Sequence, residues 1–173
     1  MLQNLSVRYD PLEDRLLLRF VHRVESGAVE HWLHVTRRVC ALWRQDLQAM
    51  VDMSAELPSR MDRAAQAAVS AAHHQVQSSQ VPVRTEPAPA EEARQVSPLL
   101  VTEVTCGRRR SDGRWVVKFG LKDRAPLALV LSNPTLHALV DAISRRVQVA
   151  GWALPAIAAE KQAADRPPAA PLH

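Results

Sequence analysis

Apolar and polar positions alternate with period two over three early stretches, the pattern of strands with one buried face. Leu5, Val7 and Tyr9 alternate with Ser6 and Arg8. Leu16, Leu18 and Phe20 alternate with Arg15 and Arg19, while Leu17 and Val21 place apolar groups on the second face as well. Val29, His31, Leu33 and Val35 alternate with Glu30, Trp32 and His34. Asp10-Pro11 and Glu25-Ser26-Gly27 supply the turns between them, proline because its fixed φ suits the second position of a turn. The period then changes. Val39, Leu42, Trp43, Leu47, Met50 and Val51 recur at three- and four-residue steps, one apolar stripe on a helix. Thr36 stands where an N-cap belongs, and Pro58 opposes continuation past it.

The same order returns later in the chain. Residues 99–106 are rich in Val, Leu and Thr and predict a strand. Arg108-Arg-Arg-Ser-Asp-Gly113 forms a turn whose Asp-Gly pair provides the positive-φ positions of a tight hairpin. Trp115, Val117, Phe119 and Leu121 then alternate with Val116, Lys118, Gly120 and Lys122, one face apolar and one largely basic. A short apolar run, 127–131, leads into a helix with Asn133 as its expected cap and Pro134 at its first position, where the missing N–H costs nothing. Leu136, Leu139, Val140, Ile143 and Val147 form its stripe, and Gly151 sits where a C′ glycine belongs.

Between the two stretches, residues 59–77 are Ala-rich and free of Gly and Pro, which predicts a helix. Its larger apolar side chains are only Met61, Val69 and Val76, so it packs weakly or depends on a partner. Residues 78–96 contain Pro82, Pro87 and Pro89 and read as a flexible linker. The expected fold is therefore α+β: two pseudo-repeated βββα units, with antiparallel sheets covered by helices, joined by the Ala-rich helix and a Pro/Ala linker. The units span 1–57 and 98–154, the connection 58–97, and a disordered tail 155–173. Residues 32–43 lie over 129–140 in pattern, with slight identity. A unit of about 50 residues closes a core poorly alone, so the two are expected to pack together. Duplicated strand-then-helix units resemble the arrangement of the Whirly and Pur-alpha group of single-stranded nucleic-acid-binding proteins. The resemblance is one of topology. Those units carry four strands where three are read here, and a Whirly-type lysine-glycine-lysine signature is lacking.

Charge adds a location. Residues 1–53 carry seven Lys/Arg and seven Asp/Glu, whereas 98–154 carry nine and four, so the basic character lies in the second unit. Arg108, Arg109, Arg110 and Arg114 flank one turn, and Lys118 and Lys122 continue along the polar face of the next strand. At roughly 3.3 Å per residue this is a basic stripe about 25 Å long, able to track a phosphate backbone or an acidic partner. Trp115 and Phe119 point to the opposite face, so base stacking would lack platforms there. Two cysteines make no disulfide framework. With no apolar run long enough for a signal peptide or a membrane span, a cytoplasmic location is expected, and the Ala- and Arg-rich composition suits a bacterial source.

Other chemistry-bearing residues carry less. His31 and His34, three apart on a strand, point to opposite faces and share no metal easily. His73 and His74 read as a solvated helix face and His137 as a boundary histidine. Cys40 lies in an Arg-rich first helical turn, where the dipole with Arg37 and Arg38 would depress its pKa, against the commoner state of a buried inert thiol. Asp10, Glu13 and Asp14 crowd a turn and are expected simply to solvate it. No phosphate-binding or nucleophile motif is present. No catalytic residue, metal or cofactor is expected. The reading is a non-enzymatic adaptor, assembly or regulatory module that binds a protein or itself. The alternative is a single-stranded nucleic-acid-binding protein using the basic hairpin.

Overall fold

In the computed structural model, residues 2–24, 27–58, 60–81, 97–155 and 157 are described. The Glu25-Ser26 turn, the linker over 82–96 and most of the expected tail lie outside them. The elements follow one another as β1 (Leu2–Asp10), β2 (Arg15–Val24), β3 (Gly27–Thr36), α1 (Arg37–Ser54), α2 (Arg63–Ser79), β4 (Leu99–Arg108), β5 (Trp115–Leu121), β6 (Arg124–Leu131) and α3 (Asn133–Val149). All six strands form one sheet in sequence order. This corrects the expectation of antiparallel sheets. The sheet is mixed, because β3 and β4 run parallel where Leu33 meets Leu99 and His34 meets Leu100. The other neighbours are antiparallel. A parallel pair needs a crossover connection, and the chain through α1 and α2 provides it.

The alternating apolar residues enter one core, except Val29, which is exposed. Leu5, Val7, Leu16, Leu18, Phe20, Leu33 and Val35 meet Val101, Trp115, Val117, Phe119, Leu129 and Leu131 beneath the helices. Phe20 and Phe119 stack at its centre, ring centroids 6.3 Å apart, and Trp43 of α1 stands edge-on to Phe119 at 5.5 Å. Each main helix reaches beyond the strands that precede it: among the strands α1 packs chiefly on β4 and α3 chiefly on β1, while α3 packs most extensively on α2. β6 approaches β1 without a ladder between them. Leu17 and Trp32 are buried on the helix-free face, apart from this core, with the Arg19 guanidinium 5.3 Å over the Trp32 ring.

Local chemistry explains the element ends. The Thr36 hydroxyl accepts from the Val39 amide and caps α1. The cap of α3 is Ser132, whose hydroxyl accepts from the Thr135 amide, and not Asn133 as the sequence suggests. The Asn133 side chain is engaged elsewhere: its Oδ1 accepts from the Trp115 indole at 2.7 Å. α2 starts at Arg63, later than expected, because Asp62 accepts from the amides of Ala64 and Ala65 and caps it there. β6 starts at Arg124, earlier than expected, since Asp123 at φ 57° closes a tight connection from β5. Pro126 is tolerated within it because β6 is an edge strand. No described helix is long and apolar enough to cross a membrane.

Candidate functional site

The basic hairpin is compensated from within. Asp112, in the turn between β4 and β5, accepts from Arg109 through both carboxylate oxygens and from the Arg114 amide, and the Arg114 guanidinium lies 3.6 Å from it. These contacts, the Arg109 side chain foremost, hold the Asp112 carboxyl down at about 2. Arg108 donates to the Gly113 carbonyl, pairs with Glu56 at 2.9 Å and lies over the Trp115 ring. Arg110, Lys118 and Lys122 are exposed and meet no carboxylate among the described residues. The expected continuous stripe is thus divided. Three of its four arginines are answered by Asp112 and Glu56, and the aromatics of β5 face the core.

The thiols are poor nucleophiles. Cys40 faces the core between α1 and α3, beside a cavity of about 70 Å³ that Ile143, Val147 and Leu154 also line. Burial pushes its pKa up to about 12 against the weaker opposite pull of Arg44. The expected depression by the dipole and Arg37/Arg38 does not arise, because those arginines are exposed while the thiol points inward. Burial likewise raises Cys106 to about 11.

The turn carboxylates divide by role. Asp10 accepts from the amides of Leu12 and Glu13 and shapes the turn. Asp14, at φ 48°, does more than solvate it. It accepts from the Tyr9 hydroxyl at 2.8 Å and the Trp152 indole at 2.7 Å, joining the first hairpin to the segment after α3. Those two donors hold its carboxyl below the ordinary range, Trp152 first.

His22, His31 and His34 depart from a metal pattern. His31 stacks on His22 at 5.0 Å and lies against Phe20, and burial lowers its pKa. His34, across the strand, stands 4.0 Å from Asp10. No group of three or more His, Cys, Asp or Glu among the described residues could hold a metal ion.

The other three histidines among the described residues form a cluster that the sequence did not reveal. His137 is fully buried, not a boundary residue, because α3 is sandwiched between the sheet and α2. Its Nε2 lies 2.8 Å from Ser54 Oγ at the end of α1. Its Nδ1 lies 2.7 Å from Nδ1 of His74 in α2. His73 sets its ring edge-on to His137 at 5.1 Å, with its own Nδ1 buried and unpartnered. His73 and His74 therefore face the fold, correcting the expectation of a solvated surface. Burial brings His137 down to about 4 and also lowers His74. The clue in the sequence was His137 next to an apolar stripe, but only the docking of α2 completes the cluster.

No protein-family description, curated protein or solved structure matches this chain.

Proposed function

We propose that the protein is a non-enzymatic interaction module, an adaptor, assembly or regulatory factor, built from two pseudo-repeated βββα units. Equivalent positions support the repeat. Measured from the caps Thr36 and Ser132, the buried residues Cys40, Trp43, Leu47 and Val51 answer Leu136, Leu139, Ile143 and Val147 at the same four offsets. This register is one residue away from the match suggested by pattern alone. In the strands, Leu16, Leu18 and Phe20 oppose Val35, Leu33 and His31. Trp115, Val117 and Phe119 oppose Leu131, Leu129 and Leu127 in the same way. The stacked phenylalanines thus occupy equivalent places.

The observation that carries the functional reading is α2. It has no buried residue over its whole length. Val69 and Val76 are 42% and 59% exposed. Seven residues apart, they fall on one side of the helix, with exposed Ala72 between them. Such a stripe suits the apolar face of a protein partner's helix. The inward-facing thiols support a non-enzymatic reading, and the internal pairing of Arg108, Arg109 and Arg114 weighs against a nucleic-acid groove on the hairpin.

The test is capture of partners from cells of origin by the full chain and by Val69→Glu/Val76→Glu, each with and without nuclease. The expected result is a protein partner retained after nuclease and lost with the double variant, whose circular dichroism matches the parent. Equal capture by the variant, or a partner set that nuclease abolishes, would overturn the proposal. The latter would favour single-stranded nucleic acid at Arg110, Lys118 and Lys122.

A further inference from the structure

We propose that the Ser54–His137–His74 chain is a proton-sensitive latch that holds α2 against α1 and α3 at neutral pH and releases it on acidification. The argument begins with where the protons sit. Ser54 Oγ is 2.6 Å from the Val51 carbonyl, which can only accept. When the hydroxyl donates there, Oγ accepts from His137 Nε2–H. His137 Nδ1 is then a bare lone pair and accepts from His74 Nδ1–H. Both rings are neutral and every contact in the chain is made. The reverse arrangement, with Ser54 donating to His137, is also neutral and also leaves one proton between the two Nδ1 atoms.

Added protons are poorly accommodated. One more is taken up by the free Nε2 of His74 and converts the contact into an imidazolium–imidazole pair, which keeps its hydrogen bond but charges a half-buried ring whose burial opposes the charge. A second puts a hydrogen on both Nδ1 atoms, which face each other at 2.7 Å, so the contact must open. The surroundings offer little relief. α2 brings His73, whose ring lies against His137. α1 brings Asp52, already bonded to Gln48 and within 3.4 Å of Ser70 Oγ in α2. α3 brings Asp141, paired with Arg145. Asp141 favours a charged His74, yet burial outweighs it and the net shift of His74 is downward.

The sign follows from the direction of these shifts. His137 titrates at about 4 when docked, below its ordinary 6.5. Docking is therefore fully favoured above that ordinary value and weakens as pH falls toward the docked one. Between pH 7 and pH 5 the His137 shift reduces the docking equilibrium by at most about 20-fold, the full factor applying where release returns the ring to water. Once released, α2 loses its tertiary packing, from which most helical stability in proteins comes, and its amides open to exchange. The rest of the helix contributes only half-buried side chains, mostly alanines, so the latch weighs heavily in whether α2 stays in place, whatever α2 binds.

Amide hydrogen exchange of the full chain tests this, with rates corrected for the intrinsic effect of pH. Between pH 7 and pH 5, residues 63–79 should lose protection by about 5- to 20-fold, while the sheet and α1 keep theirs. In His74→Gln and His137→Gln the pH-dependent loss should shrink to a few-fold, and His74→Gln removes only a partly buried ring and keeps the core intact. Long-range nitrogen NMR should find His137 neutral at pH 5 in the docked protein. Protection over 63–79 that tracks the rest of the chain with pH, or a loss undiminished in both variants, would overturn the latch.

Discussion

The stacked phenylalanines join the two halves of the chain, and their replacement tests whether those halves fold as one unit. Phe20 and Phe119 are 1% and 0% exposed, with ring planes 27° apart. Truncation to alanine would cost about 3–5 kcal/mol at each site, a large share of the 5–15 kcal/mol typical of a domain. Leucine is the better probe, because it removes the ring but leaves a smaller cavity than alanine, so it costs less than the ~3–5 kcal/mol of truncation and leaves the fold standing. The rings also interact with each other, which is worth about 0.5–1.5 kcal/mol beyond burial. The double variant Phe20→Leu/Phe119→Leu should therefore lose less than the sum of the single losses by about that amount. Urea unfolding read by tryptophan fluorescence gives the cycle. Hydrogen exchange resolves whether β1–β3 and β4–β6 share one opening free energy. One transition is expected, and Phe119→Leu should lower the stability of β1–β3 as much as that of β4–β6. A first half that ignores Phe119→Leu, or a coupling energy indistinguishable from zero, would refute the shared core.

Asp112 should remain ionised in acid, with a carboxyl titration by carbon NMR near 2. Its stabilising contacts persist above the ordinary aspartate range and fade as pH falls toward that value, and Asp112→Asn should lengthen retention on heparin by releasing Arg109 and Arg114. Cys40 and Cys106, raised to about 12 and 11 by burial, should resist thiol reagents at pH 8 in the native protein and react on unfolding. Rapid native labelling of Cys40 would count against its inward orientation.

The parts of this fold that were legible in the sequence are those fixed by neighbours along the chain. The alternation of Trp115, Val117 and Phe119 placed β5 and its buried face, and all three are fully buried. The stripe Val39–Trp43–Leu47 placed α1, and Thr36 its cap. Errors arose where a distant residue decides. Asn133 was read as a cap because Asn-Pro so often starts a helix, yet the Trp115 indole claims its side chain from 18 residues away. The parallel contact of Leu33 with Leu99 leaves no periodic trace, since any apolar strand could lie there. The basic hairpin was legible as charge and illegible as a site. Asp112 was visible in the turn, but Glu56 reaches Arg108 only through the packing of the folded chain.

The same reasoning separates what the fold needs from what it merely carries. To lay β4 parallel beside β3, the chain needs one covering crossover, and α1 supplies it by packing on β4. In the other half α3 follows β6 and packs on β1 with no further helix after it among the described residues. α2 has no counterpart there among the described residues and buries none of its side chains fully. Its attachment is paid for by an unusual arrangement: a histidine removed entirely from water, bonded to a second histidine and to a serine. An apolar side chain at position 137 would pack there without that polar demand. A polar chain between neutral rings instead makes the docking of α2 conditional on protonation, on an element the sheet does not require. In a scaffold whose core is otherwise apolar and whose hairpin arginines are mostly answered internally, α2 is where binding can change without disturbing the fold.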